Sequence, residues 1–358
     1  MAKAKAIIYE EIAEQDVQSV ECEVLETIII DNRFEEYASK LDALGNLNLK
    51  RLRVGADRMY FRKGVNHYYV GVTTVCKKVL PPNAGLENWK IKIAEEGGSH
   101  LDISEKAKWY GTILHALICA HECRYIKTSE YKGSFRFEFN NENWHTFLLD
   151  FMRIGKIDLG LYELWKWQIK NDMFAYFKWK KEYNVEIITC EFPVFSDLFW
   201  VASCIDLVVQ MDFNRKRVIA IVDLKSGTAR ADHPDYKLQL AIYKMLWNKD
   251  FIDSSFEVTH IFNWQPKDRQ KAPNDYNLVN HTEKNFTVEQ VTYFLSGVPL
   301  FWNEFYQPKG KFTFYSGGEE NYSVKVMYPN QYLQLINGRR NENEIQVLSE
   351  EESNELLG

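Results

Sequence analysis

In residues 201–224, two apolar runs, VASCIDLVVQMDF and RVIAIVDL, are separated by a short polar break at Asn214-Arg215-Lys216. Val- and Ile-rich segments joined this tightly predict a β-hairpin. Asp206 lies eight residues before Asn214 and Asp223 eight residues after Arg215, so a turn centred on Asn214-Arg215 sets the two aspartates opposite each other. Opposed residues are about 4.5–5.5 Å apart, and like charges there destabilise the pair. Among Ile205, Leu207, Val222 and Leu224, the carboxylates call for a neutralising partner, and a divalent ion with oxygen ligands meets that need. Lys225 shares the face of Asp223, whereas Val222 and Leu224 point to the core. Ser226-Gly227 ends the strand, and Pro234 opens a helix on which Tyr236, Gln239 and Tyr243 recur at i, i+3 and i+7.

The same reading places elements along the rest of the chain. Residues 33–52 have helix-like spacing, and residues 58–75 read as a hairpin around Lys63-Gly64. The run KAKWYGTILHALICAHE predicts a helix with Leu114, Leu117 and Ile118 on its buried stripe and Gly111 and His115 among them. Residues 143–183 are helical and aromatic, with lysines interleaved. Strands follow at 185–195 and 256–264, a closing helix at 287–306 and a hairpin around Gly317-Gly318. Pro193 puts the 185–195 strand at a sheet edge or marks its end. The result is an α/β fold of the α+β, mixed-sheet kind with an αβββαβ core flanked by helices. Its expected parts are an accessory N-terminal segment (1–57), a main domain (58–340) with a helical insertion (143–184), and an acidic, disordered tail (341–358).

Composition narrows the class. Hydrophobic residues make up 46% and charged residues 26%, as in a soluble globular protein. No run of about 18 apolar residues predicts a membrane span, and the N-terminus lacks a signal-peptide core. The six cysteines are scattered without CxxC pairs, which points to a reducing compartment. The net charge of −6 is matched by six Glu in residues 342–358, which hold no Lys or Arg. The remainder is therefore neutral, and a polyanionic partner would be held by a local basic groove.

Asp206, the Asp223-Leu224-Lys225 triplet and the Gln239-x-x-x-Tyr243 pair resemble the PD-(D/E)XK nuclease superfamily, and its RecB-type exonuclease branch in particular. Ser203 stands where that branch usually has Gly. Gly-Thr-x-x-His, ending at His115, is similar to the helical motif that supplies an imidazole ligand, and Val72-Thr73-Thr74-Val75 resembles the opening of phage and mitochondrial genome maintenance members. Taken alone, Asp-x-Lys is a common surface ion pair and a helix histidine is usually core; the combination is what carries the likeness. The resemblance implies Mg²⁺ or Mn²⁺ held by His115, Asp206, Asp223 and the Leu224 carbonyl. It implies Lys225 at the attacking water, Glu191 as an assisting acid, and Gln239 and Tyr243 ordering the substrate strand or the metal shell. Several relatives carry an iron–sulfur cluster whose cysteines mostly follow the Gln-Tyr helix. No Cys follows Cys204 here, so no cluster is expected.

The expected activity is metal-dependent DNA hydrolysis in recombination, repair or replication, acting at single-stranded ends in the cytoplasm of a bacterial or phage-infected cell. Trp167, Lys170, Lys178, Trp179 and Lys181, with Lys267 and Arg269 in a later polar loop, are the expected DNA contacts, since aromatics stack on unpaired bases and lysines meet phosphates. The alternative for this helical stretch is a pair of amphipathic helices covering the sheet. A non-catalytic nucleic-acid-binding module and a restriction-type endonuclease are the rival functions, and the acidic tail is a candidate protein-binding segment.

Overall fold

The computed structural model describes residues 49–304 and 322–323, apart from 55–56, 63–67, 81–83, 124–138, 140–142, 155, 228–232, 252–255 and 284. The acidic tail and most of the Gly317-Gly318 hairpin lie outside the described residues. In chain order the elements are β1 (Leu49–Val54), β2 (Asp57–Arg62), β3 (Tyr69–Gly71), α1 (Val72–Val79), α2 (Ala84–Glu95), α3 (His100–Cys123) and α4 (Asn143–Ile154). After a 3-10 turn at Leu159–Leu161 come α5 (Tyr162–Glu182), β4 (Glu186–Ser196), β5 (Val201–Phe213), β6 (Lys216–Leu224), α6 (Pro234–Phe251), β7 (His260–Pro266), β8 (Tyr276–Asn280), α7 (Val288–Glu304) and β9 (Tyr322–Ser323). No described helix is long and apolar enough to cross a membrane.

The fold is mixed α/β; among the described residues a nine-stranded sheet of parallel and antiparallel strands runs in the order β8-β7-β6-β5-β3-β2-β1-β9, with β4 added on β5. One sheet face, through Val218, Ala220, Val222 and Leu224 of β6, packs on α3, α4 and α5. The other, through Ile219 and Ile221, packs on α1, α6 and α7. β4, β5, β6 and β7 are largely buried on both faces, which is why their sequence runs are nearly continuously apolar rather than alternating.

The central hairpin has the register its sequence predicts. Phe213 pairs with Lys216 and Leu207 with Val222, so Asp206 falls opposite Asp223. Asn214 and Arg215 both adopt left-handed φ, 48° and 63°, as the mirror-image turn of a tight hairpin requires. β4 is an edge strand, with Pro193 paired to Cys204.

Other expectations change. Residues 49–52 form a strand rather than a helix, and β1 joins the main sheet through β2, so sheet structure reaches back into the segment read as accessory. The 58–75 hairpin stops at Gly71. Residues Val72–Val79 are helical despite their β-branched composition, because Val72, Val75 and Cys76 then share one face on the core against α6. Local strand preference yields to that burial.

Candidate metal centre

The site lies where the sheet splits. Along one edge β5 pairs continuously with β4. Along the other it pairs with the end of β3 at Val201 and Ala202 and with β6 only from Leu207 onward. The C-terminal ends of β3 and β6 thus approach each other from opposite directions, leaving Ser203–Asp206 without a strand on that side among the described residues. The alternation of faces reverses at the same level. Ile205 and Phe192 belong to the α6 side, while Leu207 and Cys190 belong to the α3 side. Glu191 takes a left-handed φ of 49° at this reversal. A non-Gly residue in that region is strained and marks a place to look for function.

Into the split α3 brings His115. Its approach is close because Gly111, one turn earlier, has no side chain: a Cβ there would lie 2.8 Å from Ser226 Oγ. His115 Nε2 is 3.1 Å from the Leu224 carbonyl oxygen. A carbonyl only accepts, so Nε2 carries the proton, and in the neutral ring Nδ1 turns its lone pair toward Asp206 Oδ1, 3.8 Å away. Asp206 Oδ2 accepts the Leu224 N–H at 2.8 Å. Donor atoms of His115, Glu191 and Asp206 all lie within 4.8 Å of one another. Two ligands on a Mg²⁺-sized ion stand about 2.1 Å from it, hence about 3.0 Å apart when adjacent and about 4.2 Å apart when opposite. The three side chains can therefore hold a small divalent ion if they draw in by about 1 Å. Leu224, expected as a direct ligand, here orients the imidazole with its carbonyl, as outer-shell groups do for metal-binding histidines.

Asp223 is placed differently from the expectation. Its carboxylate is buried at 3% exposure and each oxygen is engaged. Gln239 Nε2 donates to Oδ1 at 3.1 Å, Asn263 Nδ2 donates to Oδ2 at 2.6 Å, and Lys225 Nζ sits 2.5 Å from Oδ2. Burial pushes the Asp223 carboxyl up, Lys225 pulls it down, and the nearby Asp206 charge pushes it up again, for a net rise. Burial works against the Lys225 ammonium, but Asp223 and Asp206 outweigh it and hold the charge on. With donors from Gln239 and Asn263 as well, we read the contact as an ion pair. Lys225 also lies 4.4 Å above the Tyr236 ring.

Gln239 Nε2 and Ser203 Oγ both donate to Tyr243 Oη, at 2.7 and 2.9 Å. Burial holds the Tyr243 phenol well above its usual range, so it stays neutral. Ser203 thus ties α6 to the split.

Asn263 and His281 were not singled out from sequence. His281 Nε2 lies 2.8 Å from Asn263 Oδ1, which aims the Asn263 amide at Asp223. The available signal was a polar residue in the apolar run HIFNWQP, fully buried in the fold.

Of the expected DNA contacts, Trp179 is fully buried in the core with Tyr176 and cannot present a ring to a base. The helical stretch to this extent covers the sheet. Arg269 is equally committed: its guanidinium forks onto the buried Asp172 at 2.7 and 2.6 Å and donates to the Ser226 carbonyl at 3.0 Å. Lys178 and Lys267 converge on Asp275, at 2.8 and 2.5 Å. Trp167, Lys170 and Lys181 stand exposed on α5.

No family model matches the chain, and no curated protein matches it. Among solved structures, the chain is similar to the crystal structure of SSO0001, with 10% identity over 45% of this chain and 69% of that one and a TM-score of 0.23. At that score the likeness carries no weight for fold or function.

Proposed function

We propose that the chain is a metal-dependent nuclease of the PD-(D/E)XK, RecB-type kind that hydrolyses DNA phosphodiester bonds at single-stranded ends. The observation that supports it is the meeting of His115, Glu191 and Asp206 within 4.8 Å, beside the Asp223–Lys225 pair at the split of the sheet. A bound Mg²⁺ or Mn²⁺ would lower the pKa of water and act as a Lewis acid on the phosphoryl oxygens. The chain's own residues do the rest. Leu224 fixes the His115 tautomer. Asp223, held by Gln239 and Asn263, keeps Lys225 charged at the edge of the site, where the ammonium orients the attacking water and offsets charge that develops on the phosphate. Asp206 and Glu191 supply the anionic ligands.

The test is degradation of end-labelled linear, circular, single- and double-stranded DNA with Mg²⁺, Mn²⁺ and chelator. Metal-dependent loss of linear single strands is expected. Asp206→Ala, Asp223→Ala and Lys225→Ala should each abolish it with circular dichroism unchanged. Activity of Asp223→Ala within a few-fold of the parent would sink the assignment, and tight DNA binding without cleavage under any metal would favour a non-catalytic binding module.

A further inference from the structure

We propose that Arg58 grips the non-bridging oxygens of the substrate phosphodiester beside the metal centre. This rests on the nuclease reading above and adds a residue to it from β2, outside every motif that suggested that reading.

The backbone of Arg58 is fixed with unusual care. Its N–H donates to Thr74 Oγ1 at 2.9 Å, and its carbonyl accepts from the same hydroxyl at 3.3 Å. Thr74 is itself buried. Gly71, next to Arg58 across the β2–β3 ladder, is needed for the approach, since a Cβ there would lie 2.6 Å from the Arg58 carbonyl oxygen. The Gly71-Val72-Thr73-Thr74 segment, whose opening role the chemistry above leaves unused, thus holds one arginine in place.

The side chain points to the split. Met59 faces the α6 side, so Arg58 and Tyr60 face the other, the side of Glu191 and His115. Burial works against the guanidinium charge, yet the negative ends of Tyr60, Tyr243, Glu191 and Cys204 around it outweigh that and raise its pKa. Among the described residues the guanidinium makes no hydrogen bond or ion pair. The neighbouring cations differ: Arg62 pairs with Asp197, Lys225 with Asp223, and Arg269 with Asp172. A partly buried fork of N–H donors without acceptors is unfavourable unless an anion or water completes it. Phosphate matches that fork bidentately. Three carboxylates at the centre would repel a polyanion, so a cation beside them, on the Glu191 side, supplies the attraction that substrate needs.

The test uses full-length protein and a labelled oligothymidylate with either a normal terminal linkage or a neutral methylphosphonate at that position. Arg58→Gln should weaken binding to the all-phosphate strand at least ~10-fold and binding to the methylphosphonate strand no more than ~2-fold, because the lost partner is the phosphate charge. Cleavage of the normal strand should fall ~100-fold or more in kcat/KM. Mn²⁺ affinity, read by electron paramagnetic resonance without DNA, should stay within ~3-fold. Arg58→Lys should recover part of the binding, since it keeps charge but loses the fork; should Arg58→Gln not fold, the same two-strand comparison with Arg58→Lys decides the matter. Equal losses on both strands would overturn the proposal and make Arg58 a structural residue, as would cleavage within ~3-fold of the parent. A parent protein that neither binds nor cuts any strand would instead remove the nuclease reading itself.

Discussion

Arg269→Met tests the clamp that holds the exit of β6 against α3 and α5. Asp172 is fully buried, at 0% exposure, and accepts two bonds from Arg269, at 2.7 and 2.6 Å, and one from the Tyr110 hydroxyl at 2.7 Å. Burial already pushes the Asp172 carboxyl up, against the pull of Arg269 and Tyr110. Methionine fills much of the volume but leaves a buried carboxyl with a single hydroxyl donor and frees the Ser226 carbonyl. Breaking a buried pair from one side costs about 3–5 kcal/mol, whereas replacing both partners costs far less. Urea denaturation followed by tryptophan fluorescence should therefore show a loss of ~3–5 kcal/mol for Arg269→Met, and the double variant Arg269→Met with Asp172→Asn should regain more than half of it. A single-variant loss under ~1 kcal/mol, or a double variant as unstable as the sum of its parts, would refute the reasoning.

Gly71→Ala should destabilise by ~1–3 kcal/mol in thermal melts, since its Cβ meets backbone at 2.6 Å; Gly111→Ala should stay within ~1 kcal/mol, because the Ser226 hydroxyl it meets at 2.8 Å can rotate away. Trp179→Ala, in the core, should cost ~3–5 kcal/mol in denaturant titrations, whereas Trp167→Ala, at 42% exposure, should cost under ~1 kcal/mol. Hydrogen bonds from Lys178 and Lys267 hold the Asp275 carboxyl at about 2, below the ordinary aspartate value of about 3.9. Because the folded value is depressed, the stability it adds is full above pH ~4 and lost as pH falls toward 2; Asp275→Asn should flatten that part of the stability profile, and added salt should shrink the difference.

The hairpin of β5 and β6 was legible because its determinants are local: apolar runs of matched length and a two-residue turn fix register, and register alone sets Asp206 opposite Asp223. The α6 face of Gln239 and Tyr243 followed from helical spacing in the same way. Helix periodicity also placed His115 among buried neighbours, although which nitrogen faces Asp206 depended on the Leu224 carbonyl on another element. What sequence could not supply was the identity of partners brought from a distance. Asn263 reaches Asp223 only because β7 lies parallel beside β6, and His281 supports Asn263 from the end of β8. Arg58 flanks the split only because β3, which ends beside Ala202, lies between β2 and β5, and nothing near it in sequence marks that meeting. Lysines and tryptophans on α5 looked alike as a string, yet Trp179 faces the sheet while Trp167 faces solvent, and Arg269, in the loop between β7 and β8, was drawn inward by the buried Asp172 of α5. Val72–Val79 shows the same limit in the backbone: β-branched residues prefer strands, but burial of three side chains against α6 outweighs a preference of about 1 kcal/mol or less per residue.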